Sequence, residues 1–178
     1  IEIQEIDKLV ATARKAQQNY EARGSQEIFD LACQAVGWAL MQPENNSDLS
    51  KLAVSETGLG NVQDKIQKNH NKTLGLLRDL KDIKSFGHIY DDDVKGLSVY
   101  FRPKGVIAAI VPSTNPLATP TNNIINALKT GNSIIVAPSP KGAAPFSVLL
   151  KHIRKNVADV GIDPNLVQMV PAPPSKPK

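Results

Sequence analysis

Two segments hold residues whose types and spacing suit ligand chemistry. In Ile110-Val111-Pro112-Ser113-Thr114-Asn115-Pro116, an apolar run meets two prolines that bracket three small polar residues. Ligands of open α/β sheets gather beyond the carboxyl ends of the strands. An elbow stiffened by proline at such an end holds polar side chains in fixed directions. The Asn115 amide can donate two hydrogen bonds, and a fixed amide donor is one way to stabilise an oxyanion. The same Ser, Thr and Asn can instead satisfy the backbone of a turn, and the residues alone leave both readings open. The second segment, Val136-Ala137-Pro138-Ser139-Pro140-Lys141, also joins an apolar run to a helical one. There Ser139 suits a ribose hydroxyl and Lys141 a phosphate. The alternative is a helix-entry loop with a turn serine and a solvated lysine.

Other candidates carry less. Gly58-Leu59-Gly60 opens a GxGxxG pattern, but the third position is Gln63 and the segment lies between helical stretches, so the dinucleotide fingerprint fails. Asp91-Asp92-Asp93 lacks the spacing of a calcium loop and reads as a solvated turn. His70, His88 and His152 have no metal-ligand spacing, so no metal is expected. Cys33, the single cysteine, falls mid-helix between Leu31 and Ala35 and reads as a small buried residue rather than a nucleophile. One cysteine excludes an internal disulfide.

The elements that must position the two elbows follow from periodicity and turn residues. Glu2 to Arg23 predicts an amphipathic helix ended by Gly24, and Ser25 caps the next. That second helix carries Ile28, Leu31, Ala32, Ala35, Trp38 and Ala39 on one side and closes before Pro43. Asn45-Asn46-Ser47 reads as a turn before a third helix, Asp48 to Glu56. A fourth runs from Asn61 to about Lys84, with Ile66, Leu74 and Leu77 as its apolar face. Ser85 to His88 reads as loop, and Leu97 to Phe101 as strand. Val106 to Val111 alternates little and predicts a strand covered on both faces. Helix (Pro120–Lys129), strand (Ser133–Ala137), helix (Pro145–Val160) and strand (Leu166–Val170) follow. The fold class is therefore α/β: N-terminal helices, then part of a doubly wound, Rossmann-like parallel sheet. The expected division is a helical region (1–84), a strand and linker region (85–104) and the first part of a cofactor-binding α/β domain (105–178).

Composition narrows the partners. The chain has 178 residues, a formal charge of +4 and only 4 % aromatics. Its Lys and Arg are interspersed with acids, so no nucleic-acid face is expected. No apolar run approaches the roughly 20 residues that cross a bilayer, and no membrane partner is expected. The start has neither signal-peptide nor transit-peptide character, and with no initiator Met it is expected to be trimmed or to continue upstream. The Pro/Lys tail, Pro171 to Lys178, reads as a break in a longer chain.

Gly105-Val106-Ile107 through Asn115-Pro116-Leu117, and on to Ala127-Leu128-Lys129-Thr130-Gly131-Asn132, resembles the cofactor-domain signature of the aldehyde dehydrogenase superfamily. Pro-Ser-Thr-Asn-Pro, with Ala-Pro-Ser-Pro after the next strand, is similar to the CoA-acylating branch. So is Glu56-Thr57-Gly58-Leu59-Gly60 followed by Asp64-Lys65 and Lys68-Asn69. The resemblance covers most of the chain. It implies oxidation of a small aldehyde by NAD or NADP, with CoA as co-substrate, through a cysteine-bound hemithioacetal and thioester. Asn115 is then the oxyanion donor; Pro112, Ser113, Thr114, Ala137, Pro138, Ser139 and Lys141 flank the cofactor. Hydrolytic members carry their Asn where this chain has Thr114, a Lys at Ala137 and a Glu at Pro140. The family's nucleophilic cysteine matches no residue here, so residues 1–178 alone are expected to be inactive. A cytoplasmic homo-oligomer is implied, with Leu97 to Phe101 near the subunit contact. Acetaldehyde, succinate semialdehyde and sulfoacetaldehyde all have acylating relatives, and the Val167 to Ser175 ending is most similar to the sulfoacetaldehyde type. A noncatalytic nucleotide-binding or oligomerising module and a hydrolytic semialdehyde dehydrogenase are the alternatives.

Overall fold

Capping residues set the boundaries of the first helices. In the computed structural model, which describes residues 3–171, Ile3–Ala22 forms α1 and Gln26–Met41 forms α2. The Ser25 hydroxyl accepts from the Ile28 N–H and caps α2, as its position predicts. The inner face of α2 is shifted and broader than the predicted one. Ala32, Ala35 and Ala39 are buried as predicted and Ile28 packs on the core, with Phe29, Cys33, Val36 and Leu40 buried beside them, whereas Leu31 is 41 % and Trp38 54 % exposed. Helical spacing also links Leu31 and Trp38 to this row, so periodicity alone does not set the edge of the face. Contact with α5 and α6 sets it.

Helix α3 spans Pro43–Thr57, so Asn45 and Asn46 lie inside it rather than in a turn before it. Pro43 occupies the first turn, where its missing N–H costs nothing. Gly58, at φ 68°, closes α3 in the left-handed region. Asn61 caps α4, Val62–Leu80, by accepting from the Asp64 N–H. The inner face of α4 is polar over its first half: Lys65, Asn69 and Thr73 are buried, and of the predicted apolar row Leu77 packs on the core, Ile66 is half-buried and Leu74 is exposed. The Asn69 amide donates to Asn46 Oδ1 (3.0 Å) and Ser50 Oγ (3.2 Å), and the Asn46 amide donates to the Ile66 carbonyl (3.0 Å). A hydrogen-bonded seam thus replaces leucine packing between α3 and α4.

The segment read as loop and acidic turn begins a hairpin. Gly87–Asp92 is β1, antiparallel to β2, Leu97–Phe101, with a register shift between His88 and Tyr90. Three parallel strands follow, β3 (Val106–Val111), β4 (Ser133–Pro138) and β5 (Val167–Met169), in the order β3-β4-β5. They are joined by α5 (Ala118–Lys129) and α6 (Ala143–Asp159), as the strand–helix alternation predicts. Strand β4 is the central one and buried over Ser133 to Val136. Strand β3 is not covered on both faces as expected. Ala108 is exposed and Ile110 is 90 % exposed, because no element among the described residues covers their face of β3, which is also an edge of the sheet.

Helices α5 and α6 lie between α2 and the sheet, and α1 packs on all three strands. One cluster of buried residues, including Phe29, Ile125, Leu128, Ile134, Phe146 and Val167, runs through these layers. The carboxyl end of α5 is its most heavily tied point. Tyr20 Oη donates to the Leu128 carbonyl (3.2 Å), Gln17 Nε2 to the Gly131 carbonyl (3.2 Å), and Ser85 Oγ to the Lys129 carbonyl (2.5 Å). The buried Lys129 ammonium pairs with Asp30. Asn132 Oδ1 accepts from the Lys104 and Gly105 N–H groups (2.6 and 2.8 Å), fixing where β3 starts.

Gly131 has φ 74°, and a Cβ there would lie 2.7 Å from Pro103 Cγ and 2.9 Å from Phe29 Cζ. Gly131→Ala is therefore expected to destabilise the chain by about 2–4 kcal/mol, combining left-handed strain with overpacking. A urea titration followed by circular dichroism reads this as a lower midpoint at unchanged slope.

Candidate functional site

The register of β3 on β4 brings the two elbows together. Val111 is opposite Pro138, so both strands end at the same level. The Ser139 N–H then donates to the Val111 carbonyl (3.1 Å), one hydrogen bond beyond the last strand pair. Pro140–Gly142 forms a single 3₁₀ turn, and the Gly142 N–H donates back to the Ser139 carbonyl (2.9 Å). A Cβ at Gly142 would sit 3.0 Å from Ser139 Oγ and 3.1 Å from Pro116 Cβ. The elbows thus touch through a glycine that sequence reasoning did not single out. Its signal, a glycine three residues after a strand-ending serine, is too common to be read alone.

Each predicted site residue has a definite setting. Pro112 and Thr114 are exposed, Ser113 and Asn115 half-buried, and Pro116 and Leu117 buried beneath them. In the second elbow Ala137, Pro138 and Ser139 are half-buried, while Pro140 and Lys141 are exposed. Ser139 Oγ is buried with no hydrogen-bond partner, and so is Asn122 Oδ1 in the second turn of α5. Buried polar atoms are normally satisfied, so Ser139 Oγ marks a place where a further group is due. Neither α5 nor α6 has a side-chain cap, and neither first turn holds an acid. At α6 the 3₁₀ turn takes the Gly142 and Ala143 N–H groups and Pro145 has none, so the free N–H groups at this edge are chiefly those of α5, and the positive ends of both helix dipoles favour an anion or a developing negative charge.

The remaining candidates lie elsewhere. Cys33 is buried behind α5, where its thiol donates to the Ile125 carbonyl (3.4 Å). Burial pushes its pKa up to about 12, the charge of Asp30 adds to this and that of Lys129 opposes it. A thiol held neutral in the core is no nucleophile. Asp91, lowered chiefly by the Ser98 hydroxyl, belongs to an exposed network in which Ser98 Oγ donates to Asp91 Oδ1 (2.6 Å) and His88 Nε2 lies 3.0 Å from the same oxygen. No group of three or more His, Cys, Asp or Glu among the described residues is placed to hold a metal ion. No helix among them is long and apolar enough to cross a membrane.

A parallel half-sheet with two rigid elbows at its carboxyl edge is the architecture of a dinucleotide-type site. Residues 2–176 match the model of the aldehyde dehydrogenase family, and the chain belongs to that family. It is 53 % identical over 171 residues to an acylating sulfoacetaldehyde dehydrogenase from Cupriavidus necator, a match covering 96 % of this chain and 34 % of that protein. Its fold superposes on propionaldehyde dehydrogenase from Rhodopseudomonas palustris with bound propionyl-CoA, at a TM-score of 0.80 and 32 % identity over 94 % of this chain and 36 % of that one. An engineered glycolyl-CoA reductase with bound NADP+ matches at a TM-score of 0.79 and 30 % identity, over 95 % of this chain and 37 % of that one. The chain thus spans about a third of the length of the relatives it matches.

The core thiol sets a measurable pH dependence. Below the ordinary thiol pKa of about 8.5, folded and unfolded chains both carry neutral Cys33, and the group contributes no slope. Between there and about 12 only the unfolded chain ionises, so stability falls as pH rises. Tyr20, raised chiefly by burial, acts in the same direction at higher pH. Equilibrium unfolding between pH 8 and 10.5 is expected to show this loss, and Cys33→Ala to flatten it. Native chain is expected to react with a thiol reagent at pH 8 at least 100-fold more slowly than chain in urea.

Proposed function

We propose that this chain supplies the cofactor side of an NAD(P)- and CoA-dependent acylating aldehyde dehydrogenase. The observation that carries the reading is the meeting of the two elbows at Gly142, with an unpartnered Ser139 hydroxyl and two uncapped helix ends at one edge. The bound propionyl-CoA and NADP+ of the two solved relatives support the cofactor class. NAD(P) supplies hydride acceptance, and CoA takes the acyl group from an enzyme thioester.

In this reading Asn115 donates its amide to the oxyanion of the thiohemiacetal. Pro112, Ser113 and Thr114 form one wall of the dinucleotide site. Ala137, Pro138, Ser139 and Lys141 form the other, with the Ser139 hydroxyl on the ribose and the Lys141 ammonium toward phosphate. Losing the Lys and Glu of hydrolytic relatives, at Ala137 and Pro140, puts the ribose contacts on Ser139 and backbone groups. The nucleophilic thiolate comes from outside residues 1–178, because Cys33 is sealed in the core. The name of the 53 % identical relative favours sulfoacetaldehyde as the aldehyde. The division into 1–84, 85–104 and 105–178, a cytoplasmic location and a homo-oligomer belong to the same proposal. Leu97, Tyr100 and Phe101, about half exposed on β2, suit a subunit contact.

Two measurements test it. Purified 1–178 is expected to give no CoA-dependent NAD(P)H formation with sulfoacetaldehyde, acetaldehyde or succinate semialdehyde; turnover in a clean preparation would overturn the assignment. In an active enzyme containing this segment, Asn115→Ala is expected to lower kcat by about 100-fold with little change in KM, the usual cost of one oxyanion donor. Unchanged turnover would remove Asn115 from the chemistry.

A further inference from the structure

The second elbow stands where a dinucleotide site tells its two cofactors apart. Strand β4 follows the first crossover, so Pro138 to Gly142 lies at the carboxyl end of the second strand of the half-sheet. In such half-sheets an acid near this end bonds the ribose 2′-hydroxyl of NAD, and a basic residue there accommodates the 2′-phosphate of NADP. The acid also excludes, because a carboxylate repels a phosphate placed beside it.

This elbow has no acid. None occurs anywhere between Asp93 and Asp159, a stretch that holds six lysines and two arginines. Asp159 ends α6, a 17-residue helix that starts at the elbow, and so stands roughly 25 Å from it. Helix α3 packs against the Pro140–Gly142 turn and carries Glu44, Asp48 and Glu56, all exposed. Asp48 pairs with Lys51 (3.1 Å), and none of the ion pairs among the described residues includes Lys141.

Two side chains of the elbow are left to meet a ligand. The Lys141 ammonium is exposed, on a turn that Pro140 and the Gly142 N–H bond to the Ser139 carbonyl (2.9 Å) hold in shape. Two residues before it, Ser139 Oγ has no partner; its neighbours Pro138 and Pro140 lack N–H groups, and its own N–H is spent on the Val111 carbonyl. A cation beside an unpartnered hydroxyl, with no carboxylate to compete, suits a phosphate carried on a ribose.

We propose that Lys141 selects the cofactor: it takes the 2′-phosphate of NADP, with the Ser139 hydroxyl beside it, and this edge binds NADP in preference to NAD. The inference rests on reading the edge as the cofactor side. CoA carries a phosphate on the same ribose at the 3′ position, so a ribose phosphomonoester is common to both cofactors, and the test separates them.

An active enzyme containing this segment is titrated calorimetrically with NADP+ and NAD+, and with CoA and 3′-dephospho-CoA, in the absence of aldehyde. Wild type is expected to bind NADP+ at least about 10-fold more tightly than NAD+, the scale of one charge-assisted hydrogen bond. Lys141→Met is expected to remove most of that margin by weakening NADP+ alone. Pro140→Glu, which supplies the missing acid, is expected to reverse the preference. Both positions are exposed, and the urea midpoints of the two variants are expected to match that of wild type. Equal binding of the two dinucleotides by wild type, or an equal loss of both in Lys141→Met, would overturn the proposal. A loss confined to CoA relative to its dephospho form would give Lys141 to the other ribose phosphate and overturn it too. If wild type binds neither dinucleotide, the cofactor-side reading falls, and this inference with it.

Discussion

The carboxyl end of α5 is the point on which the rest of the molecule depends. Hydroxyl and amide donors from Tyr20, Gln17 and Ser85 reach the last carbonyls of α5 and the following turn, and Asp30 reaches its final lysine. Those donors come from α1, α2 and the linker before β1. Each bond is individually modest, about 1 kcal/mol net, but an unmade one would leave a buried carbonyl or charge exposed to the full desolvation cost. The N-terminal helices are therefore part of the sheet's own foundation. Because α5 is a rigid rod, clamping one end also sets the direction of the other, where Asn115 and the first elbow lie.

The level of the sheet's carboxyl edge follows from that clamp and from Asn132. Asn132 takes the N–H groups of Lys104 and Gly105, the two residues before β3, so β3 begins, and hence ends, at a set level against β4. That level puts Val111 opposite Pro138 and lets the Ser139 N–H reach the Val111 carbonyl. The site is in this sense a consequence of strand length measured from an asparagine at the opposite end of the sheet. The absence of acids and side-chain caps at both helix starts leaves the electrostatics of the edge to the backbone, which needs no reorganisation when a negative group arrives.

Much of this was legible in the residues, and the misses have physical causes. The α/β alternation, the parallel order and both elbows are visible because Pro, Gly and apolar runs punctuate them strongly. The inner faces of α2 and α4 are visible only in part. Helix α2 is apolar beyond its inner face, and only the tertiary partners show that Trp38 and Leu31 lie outside it. Helix α4 buries Lys65, Asn69 and Thr73 on its inner side, so apolar periodicity finds only the end of that side, at Leu77. The first hairpin strand contains His88, Asp91 and Asp92, residues poor in strand propensity, and is held by pairing with Leu97 to Phe101. At the edge itself, the polar residues of the elbows were visible, but Gly142 was not, because its importance is only the absence of a side chain between Ser139 and Pro116.

The polar seam between α3 and α4 has a mechanical consequence. Apolar side chains tolerate small slides, since dispersion attraction given up on one side is recovered on the other. Directional bonds from Asn69 to Asn46 and Ser50, and from Asn46 to the Ile66 carbonyl, do not. The seam therefore fixes the mutual register of α3 and α4, and because α3 also packs on α6 and α4 on α2 and α5, it carries that register into the core on both sides of the corner.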